Sequence, residues 1–232
     1  MSDGLTRLVE VMDRLRSPGG CPWDAEQTHE TLIKHALEEA YELAEAVESG
    51  SRADLREELG DVLLQVVFHA RVAQEHASDP FDIDDVADGV ADKLIERHPH
   101  VFGGADAGTA EDVHARWERI KNETKGRQSV MDGVPAQQPA LARAQKIISR
   151  ASKAGLQVND PAGVDIGHQL LELVARAQAE GVDAEGALRA AVREYEAAAR
   201  EAERAAQASA PTGPRAPAVA SPASAATEGS PT

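Results

Sequence analysis

Glu39 and Glu42, then Glu58 and Asp61, form two acidic pairs, each spaced i, i+3, on either side of Ser49-Gly50-Ser51. On a helix, residues three apart share a face. If the Gly50 segment joins two antiparallel helices, Glu42 falls opposite Glu58 and Glu39 opposite Asp61. Both levels then lie about 12–16 Å from the turn, at 1.5 Å of rise per residue. Four ionised carboxylates gathered there repel one another. Their natural counterion is a hard divalent cation with oxygen ligands, Mg²⁺ foremost. The acids are interleaved with Leu37, Ala40 and Leu43 on one helix and with Leu55, Leu59, Val62 and Leu63 on the other. That places them at or near a packed interface, where an ionised group needs a partner. The competing reading is a solvated acidic face, which suits Glu45, Glu48, Asp54 and Glu57.

The elements that must carry these residues read as helical. Leu5, Leu8, Val9, Met12 and Leu15 form one stripe, ended by Ser17-Pro-Gly-Gly. Leu32 to Val47 and Leu55 to Ala70 form the two arms of the hairpin. A fourth stripe runs from Ile83 to Leu94 and closes at His98-Pro99. A fifth helix is expected from about Glu111 to Thr124, with Thr109 as its N-cap. Cys21-Pro-Trp-Asp reads as a structural loop that sets Trp23 near a pocket mouth. Gly126 to Pro139 carries Gly133, Pro135 and Pro139 and reads as a linker. Helical patterns then recur over Leu141–Ala154, about Val164–Ala179 and Asp183–Gln207. No segment alternates as a strand would. The expectation is an all-α fold. Residues 208–232, rich in Ala, Pro and Ser, are expected to be disordered.

Bulk properties narrow the partners. The chain has 232 residues, a net charge of −16 and 3% aromatic residues. Such acidity argues against a nucleic-acid polymer or an anionic membrane as the main partner, while a nucleotide remains compatible if cations are placed locally. One cysteine, Cys21, excludes an internal disulfide and a cysteine zinc cluster. It reads as a small packed residue. No run of 18 apolar residues exists and Met1-Ser-Asp-Gly does not open a signal peptide, so a cytoplasmic location is expected.

The acidic motif Glu38-Glu39-Ala-Tyr-Glu42 … Glu58-Leu-Gly-Asp61 resembles the EExxE…ExxD hallmark of the MazG-type nucleoside triphosphate pyrophosphohydrolases. Its flanks are similar too: Cys21-Pro-Trp-Asp-Ala-Glu-Gln-Thr before it, Asp61-Val-Leu-Leu-Gln-Val-Val-Phe-His-Ala after it, then Lys93-Leu-Ile-Glu-Arg-His-Pro-His-Val-Phe and Ala115-Arg-Trp-Glu-Arg-Ile-Lys121. The resemblance covers residues 5–125 and implies a MazG-like helical bundle in which two subunits build the site as a tight homodimer. It implies hydrolysis of a (d)NTP between the α- and β-phosphates, releasing a nucleoside monophosphate and pyrophosphate, in the service of clearing non-canonical or excess nucleotides. By motif position Glu39, Glu42, Glu58 and Asp61 would hold Mg²⁺, with Mn²⁺ as a substitute. Glu38 would be an auxiliary base or an outer-sphere residue. Lys93, Arg97, Trp117 and Lys121 would contact the nucleotide, the cations on phosphate and Trp117 on the base. The residue chemistry also admits a solvated Lys93/Arg97 pair and a core role for Trp117. His98 and His100, beside a proline at a helix end, suit capping or packing.

On this reading residues 1–126 form the catalytic domain, 127–138 a linker, and 139–207 a degenerate, non-catalytic second copy. In that copy the EExxE helix is missing, and Asp165-Ile-Gly-His168 stands where ExxD would be. Two other functions compete. A di-iron carboxylate bundle would use the Glu26/His29 and Glu111/His114 pairs, whose acids otherwise suit first-turn positions. A non-enzymatic helical interaction module would leave the acids solvated.

Overall fold

The computed structural model describes residues 3–124, 128–158, 163 and 165–209. All regular elements among them are helices. The expected disordered tail lies outside the described residues, except that the last helix runs two residues into it. Two compact units are present, Met1–Gly126 and Arg127–Thr232.

The first unit holds α1 (Asp3–Arg16), α2 (Pro22–Glu26), α3 (His29–Ser49), α4 (Arg52–Ala73), α5 (Ile83–Arg97), α6 (Pro99–Phe102) and α7 (Ala110–Thr124). The α3–α4 hairpin is its centre, and α1 and α5 pack on α4. Thr28 starts α3 with a reciprocal capping box to Thr31, and the Ser51 hydroxyl accepts the Asp54 N–H to start α4. Between them Gly50 adopts φ +75°, the left-handed C-cap that a side chain resists. A Cβ there would meet nothing within 4 Å, so the cost of substitution is conformational alone. Gly50→Ala is expected to lower unfolding free energy by about 1 kcal/mol, read as a shift in urea midpoint at constant m-value.

The core is small. Met12, Leu32, Val67 and Phe68 are buried together, with Leu8, Val9, Leu64, Val72 and Ile83 against them. Arg16 is buried beside Phe68 and grips Glu75 with two hydrogen bonds of 2.8 and 2.9 Å. Those bonds hold the Glu75 carboxyl below the usual glutamate range. Arg16 Nη1 also donates to the Asp24 carbonyl at 2.5 Å, tying α1 to α2.

Cys21-Pro-Trp-Asp is not a loop but the start of α2. Pro22 occupies the first turn, where its missing N–H costs nothing, and the Cys21 carbonyl accepts the Ala25 N–H at 3.1 Å. At α7, Thr109 caps as expected: its hydroxyl accepts the Asp112 N–H at 3.2 Å while Asp112 accepts the Thr109 N–H at 3.0 Å.

The second unit contains α8 (Ala140–Lys153), α9 (Ile166–Ala179) and α10 (Ala184–Ser209). Gln145 on α8 holds the α9–α10 connection, donating to Val182 O and accepting from Ala184 N. Arg150 donates to the carbonyls of Val130 and Asp132, so the described part of the segment expected as a linker is fastened to α8. Asp165 caps α9, accepting the N–H groups of Gly167 and His168 and lying 2.7 Å from His168 Nδ1. Asp165 therefore serves a helix start.

Candidate metal and nucleotide site

The α3–α4 seam is a ladder read outward from Gly50. Glu42 is the charge that acts most strongly on Glu58, and Asp61 the one that acts most strongly on Glu39, as the mirror spacing requires. Further along come Leu32 and Phe68, sharing one core. At the open end His29 and His69 meet Nδ1 to Nδ1 at 2.8 Å with ring planes 6° apart.

Glu39, Glu58 and Asp61 each bring a carboxylate oxygen within 4.8 Å of the others. All three are partly buried, whereas Glu42, adjoining Glu39 and Glu58, is exposed. One oxygen of Glu58 is covered and has no hydrogen-bond partner. Burial first, then neighbouring acids, pushes the Glu39 and Glu58 carboxyls above their ordinary value of 4.5. An all-carboxylate oxygen set, crowded, partly desolvated and holding an orphaned acceptor, fits a hard divalent cation. Glu38 lies outside this group; it is exposed, with an oxygen 3.7 Å from His35 Nδ1.

The raised carboxyls set the sign of a pH effect. A group whose folded pKa exceeds its unfolded one stabilises the fold at low pH, and that contribution is lost as pH climbs through the folded value. In chelator, wild-type stability relative to Glu39→Gln is expected to fall as pH rises from about 4.5 upward. Added Mg²⁺ should reverse the trend, because it binds the ionised form. Urea melts across pH with and without Mg²⁺ make the comparison.

The second group gathers on Trp117 of α7, a helix that packs on α5. The Arg97 guanidinium lies 5.4 Å and Lys121 Nζ 4.3 Å from its ring centroid, and the His114 ring is nearly parallel at 6.3 Å. Lys121 also pairs with Glu118 at 3.2 Å. Arg97 Nε is buried without a partner. Lys93, one turn before Arg97, is exposed. The structure therefore brings Arg97, Trp117 and Lys121 together and leaves Lys93 in solvent. His98 caps as expected, its Nδ1 lying 2.7 Å from the Leu94 carbonyl.

The rival Glu-x-x-His pairs are not arranged as a bundle centre. Glu26 ends α2 while His29 begins α3, so they do not share a helix face. His114 is engaged with Trp117.

Sequence reasoning passed over Gln65, which is 8% exposed with its Oε1 buried and unpartnered. Its signal was available: a polar residue in the apolar run Val62 to Phe68, four residues past Asp61. His114 was passed over as a neighbour of Trp117, although the i, i+3 spacing marks it.

The MazG nucleotide pyrophosphohydrolase domain matches residues 27–102, the span that carries the hairpin and α5. A Streptomyces cacaoi protein called "Uncharacterized 26.1 kDa protein in blaB 3'region" is 56% identical over 200 residues, covering 85% of this chain and 82% of that protein. The Thermotoga maritima protein "Nucleoside triphosphate pyrophosphohydrolase/pyrophosphatase MazG" is 39% identical over 212 residues, covering 81% of each. A Mycobacterium tuberculosis "Nucleoside triphosphate pyrophosphohydrolase" is 49% identical over 192 residues, and the chain spans 55% of its length. The chain belongs to the MazG nucleotide pyrophosphohydrolase family, hydrolases that act on phosphoanhydride bonds.

Proposed function

We propose that this chain hydrolyses nucleoside triphosphates between the α- and β-phosphates, with Mg²⁺ as cofactor and Mn²⁺ as a substitute, releasing a nucleoside monophosphate and pyrophosphate. The observation that carries the metal assignment is the carboxylate group of Glu39, Glu58 and Asp61, with Glu58 holding a covered, unpaired oxygen. These three residues, with Glu42 completing the set from the exposed side, would hold the cation. When bound, it neutralises phosphate charge and polarises a water for in-line attack.

The remaining work falls to side chains. Arg97 and Lys121 hold phosphate oxygens, and the buried, unpaired Arg97 Nε offers a donor for one of them. Trp117 keeps both cations aligned and presents its ring to the base. Lys93, free in solvent one turn away, can swing to a terminal phosphate. Glu38, next to Glu39 and outside the trio, accepts a proton from the attacking water.

Ile33, Leu37, Tyr41, Leu59, Leu63 and Val66 are exposed on the hairpin. That apolar surface supports a homodimer in which a second copy covers α3 and α4. A cytoplasmic role in clearing non-canonical or excess (d)NTPs accords with a site that spends its contacts on phosphate and metal. No helix among the described residues is long and apolar enough to cross a membrane. The second unit acts as a non-catalytic remnant, because Asp165 is spent on capping.

The test is a panel of (d)NTPs with Mg²⁺, assayed for pyrophosphate and for orthophosphate. Pyrophosphate with stoichiometric monophosphate is expected. Orthophosphate as the first product, or no cleavage across the panel, refutes the assignment.

A further inference from the structure

Gln65 stands at an unusual boundary. Seven residues past Glu58 and four past Asp61, it projects within about 40° of both around α4 and lies about 6 Å further along the axis than Asp61. One turn beyond it, Phe68 enters the dry core with Leu32. Gln65 is thus the polar floor between the carboxylate level and the core. It is more than nine-tenths buried, and its Oε1 has no hydrogen-bond partner.

An unpaired buried acceptor is destabilising, and an apolar side chain of similar volume would sit there at lower cost. The ionised acids beside it accept hydrogen bonds and cannot donate one. His35 of α3 stands opposite Gln65 by the same mirror spacing but gives its Oε1 no hydrogen bond, so the acceptor lacks a donor from within the seam. A hydrated divalent cation brings one, because Mg²⁺ keeps several of its waters when carboxylates bind it. We propose that Gln65 is an outer-sphere positioning residue: its Oε1 accepts a hydrogen bond from a water in the hydration shell of the cation held by Glu39, Glu58 and Asp61. The inference rests on the reading of that group as a Mg²⁺ site. Its oxygen is unpaired without the cation and satisfied with it, which couples the floor of the seam to metal occupancy.

Two effects of opposite sign follow. Gln65→Leu removes the orphaned oxygen, so the metal-free protein should melt higher than wild type. The same change deletes the water's acceptor, and loss of an outer-shell partner typically weakens metal binding 10–100-fold. Gln65→Glu keeps an acceptor oxygen and should bind Mg²⁺ at least as tightly as wild type to within a few-fold.

Calorimetric titration of Mg²⁺ into the chelator-stripped full chain, with thermal melts of the same samples in EDTA, reads both effects without turnover. Gln65→Met provides the same comparison should the leucine variant not fold. The expected result is a higher melting point in EDTA together with 10–100-fold weaker Mg²⁺ binding. Equal Mg²⁺ affinity in wild type and Gln65→Leu overturns the inference and leaves the metal site standing. A lower melting point in EDTA also overturns it, since that is what a structural glutamine would give. Wild-type protein that takes up no Mg²⁺ removes the metal assignment itself.

Discussion

Glu58→Gln is expected to raise the melting temperature of the metal-free protein while lowering (d)NTP cleavage on the order of a thousandfold. Glu58 carries a covered oxygen without a partner, and burial first, then Glu42, Asp61, Glu57 and Asp54, pushes its carboxyl toward protonation. A neutral amide of nearly the same shape relieves that repulsion at pH 7, hence the gain in the apo protein. The same exchange takes one anionic ligand from the proposed set of Glu39, Glu42, Glu58 and Asp61. A cation's electrostatic stabilisation of phosphoryl transfer is worth several kcal/mol, and losing about 4 kcal/mol corresponds to roughly three powers of ten in rate. Differential scanning calorimetry in EDTA and a pyrophosphate-release assay in saturating Mg²⁺ read the two halves separately. A stabilised variant with wild-type turnover would remove Glu58 from the site.

Leu32→Ala should do the reverse, unfolding the protein without touching the acids. Leu32 is 1% exposed and is packed with Met12, Val67 and Phe68 where α1, α3 and α4 meet. Truncating a fully buried leucine costs about 2–5 kcal/mol from lost transfer energy and the cavity left behind. Whole domains are stable by roughly 5–15 kcal/mol, so this one change threatens the first unit outright. The core's small size is the reason: few other buried side chains are present to share the load. Urea denaturation followed by circular dichroism should show a large fall in midpoint. Saturating Mg²⁺ should recover part of it, since a ligand that binds only the folded state stabilises by mass action. A loss below about 1 kcal/mol would mean that Leu32 is not at the centre of the core.

The hairpin and its acid levels were legible because every signal for them is short-range. Helical spacing sets which side chains share a face, Gly50 marks the turn, and symmetry about it dictates the pairing of Glu39 with Asp61 and Glu42 with Glu58. The same logic found Thr109 as a cap. What escaped depended on partners far away in sequence or on what a neighbourhood excludes. The Arg16–Glu75 pair spans 59 positions and follows no period. Cys21-Pro-Trp-Asp read as a loop, although Pro22 stands at the first turn of a helix. Gln65 looked like one polar residue in an apolar run; only burial showed that its oxygen is stranded. The gathering of Arg97, Trp117 and Lys121 required α5 and α7 to pack, which spacing within either helix cannot show.

The ladder between α3 and α4 also has a consequence for the order of folding. From Glu39 to Gln65 the chain is uninterrupted, and its contacts close loops of only about 20 residues. Such closures carry little entropic cost and form fast. The acid levels therefore assemble before α5 and α7 need be in place, and the repulsion among them arises at an early stage. A chain emerging from the ribosome carries all four acids once α4 is complete. Mg²⁺ should accordingly speed refolding as well as slow unfolding, bringing the cation into the history of the fold as well as its chemistry.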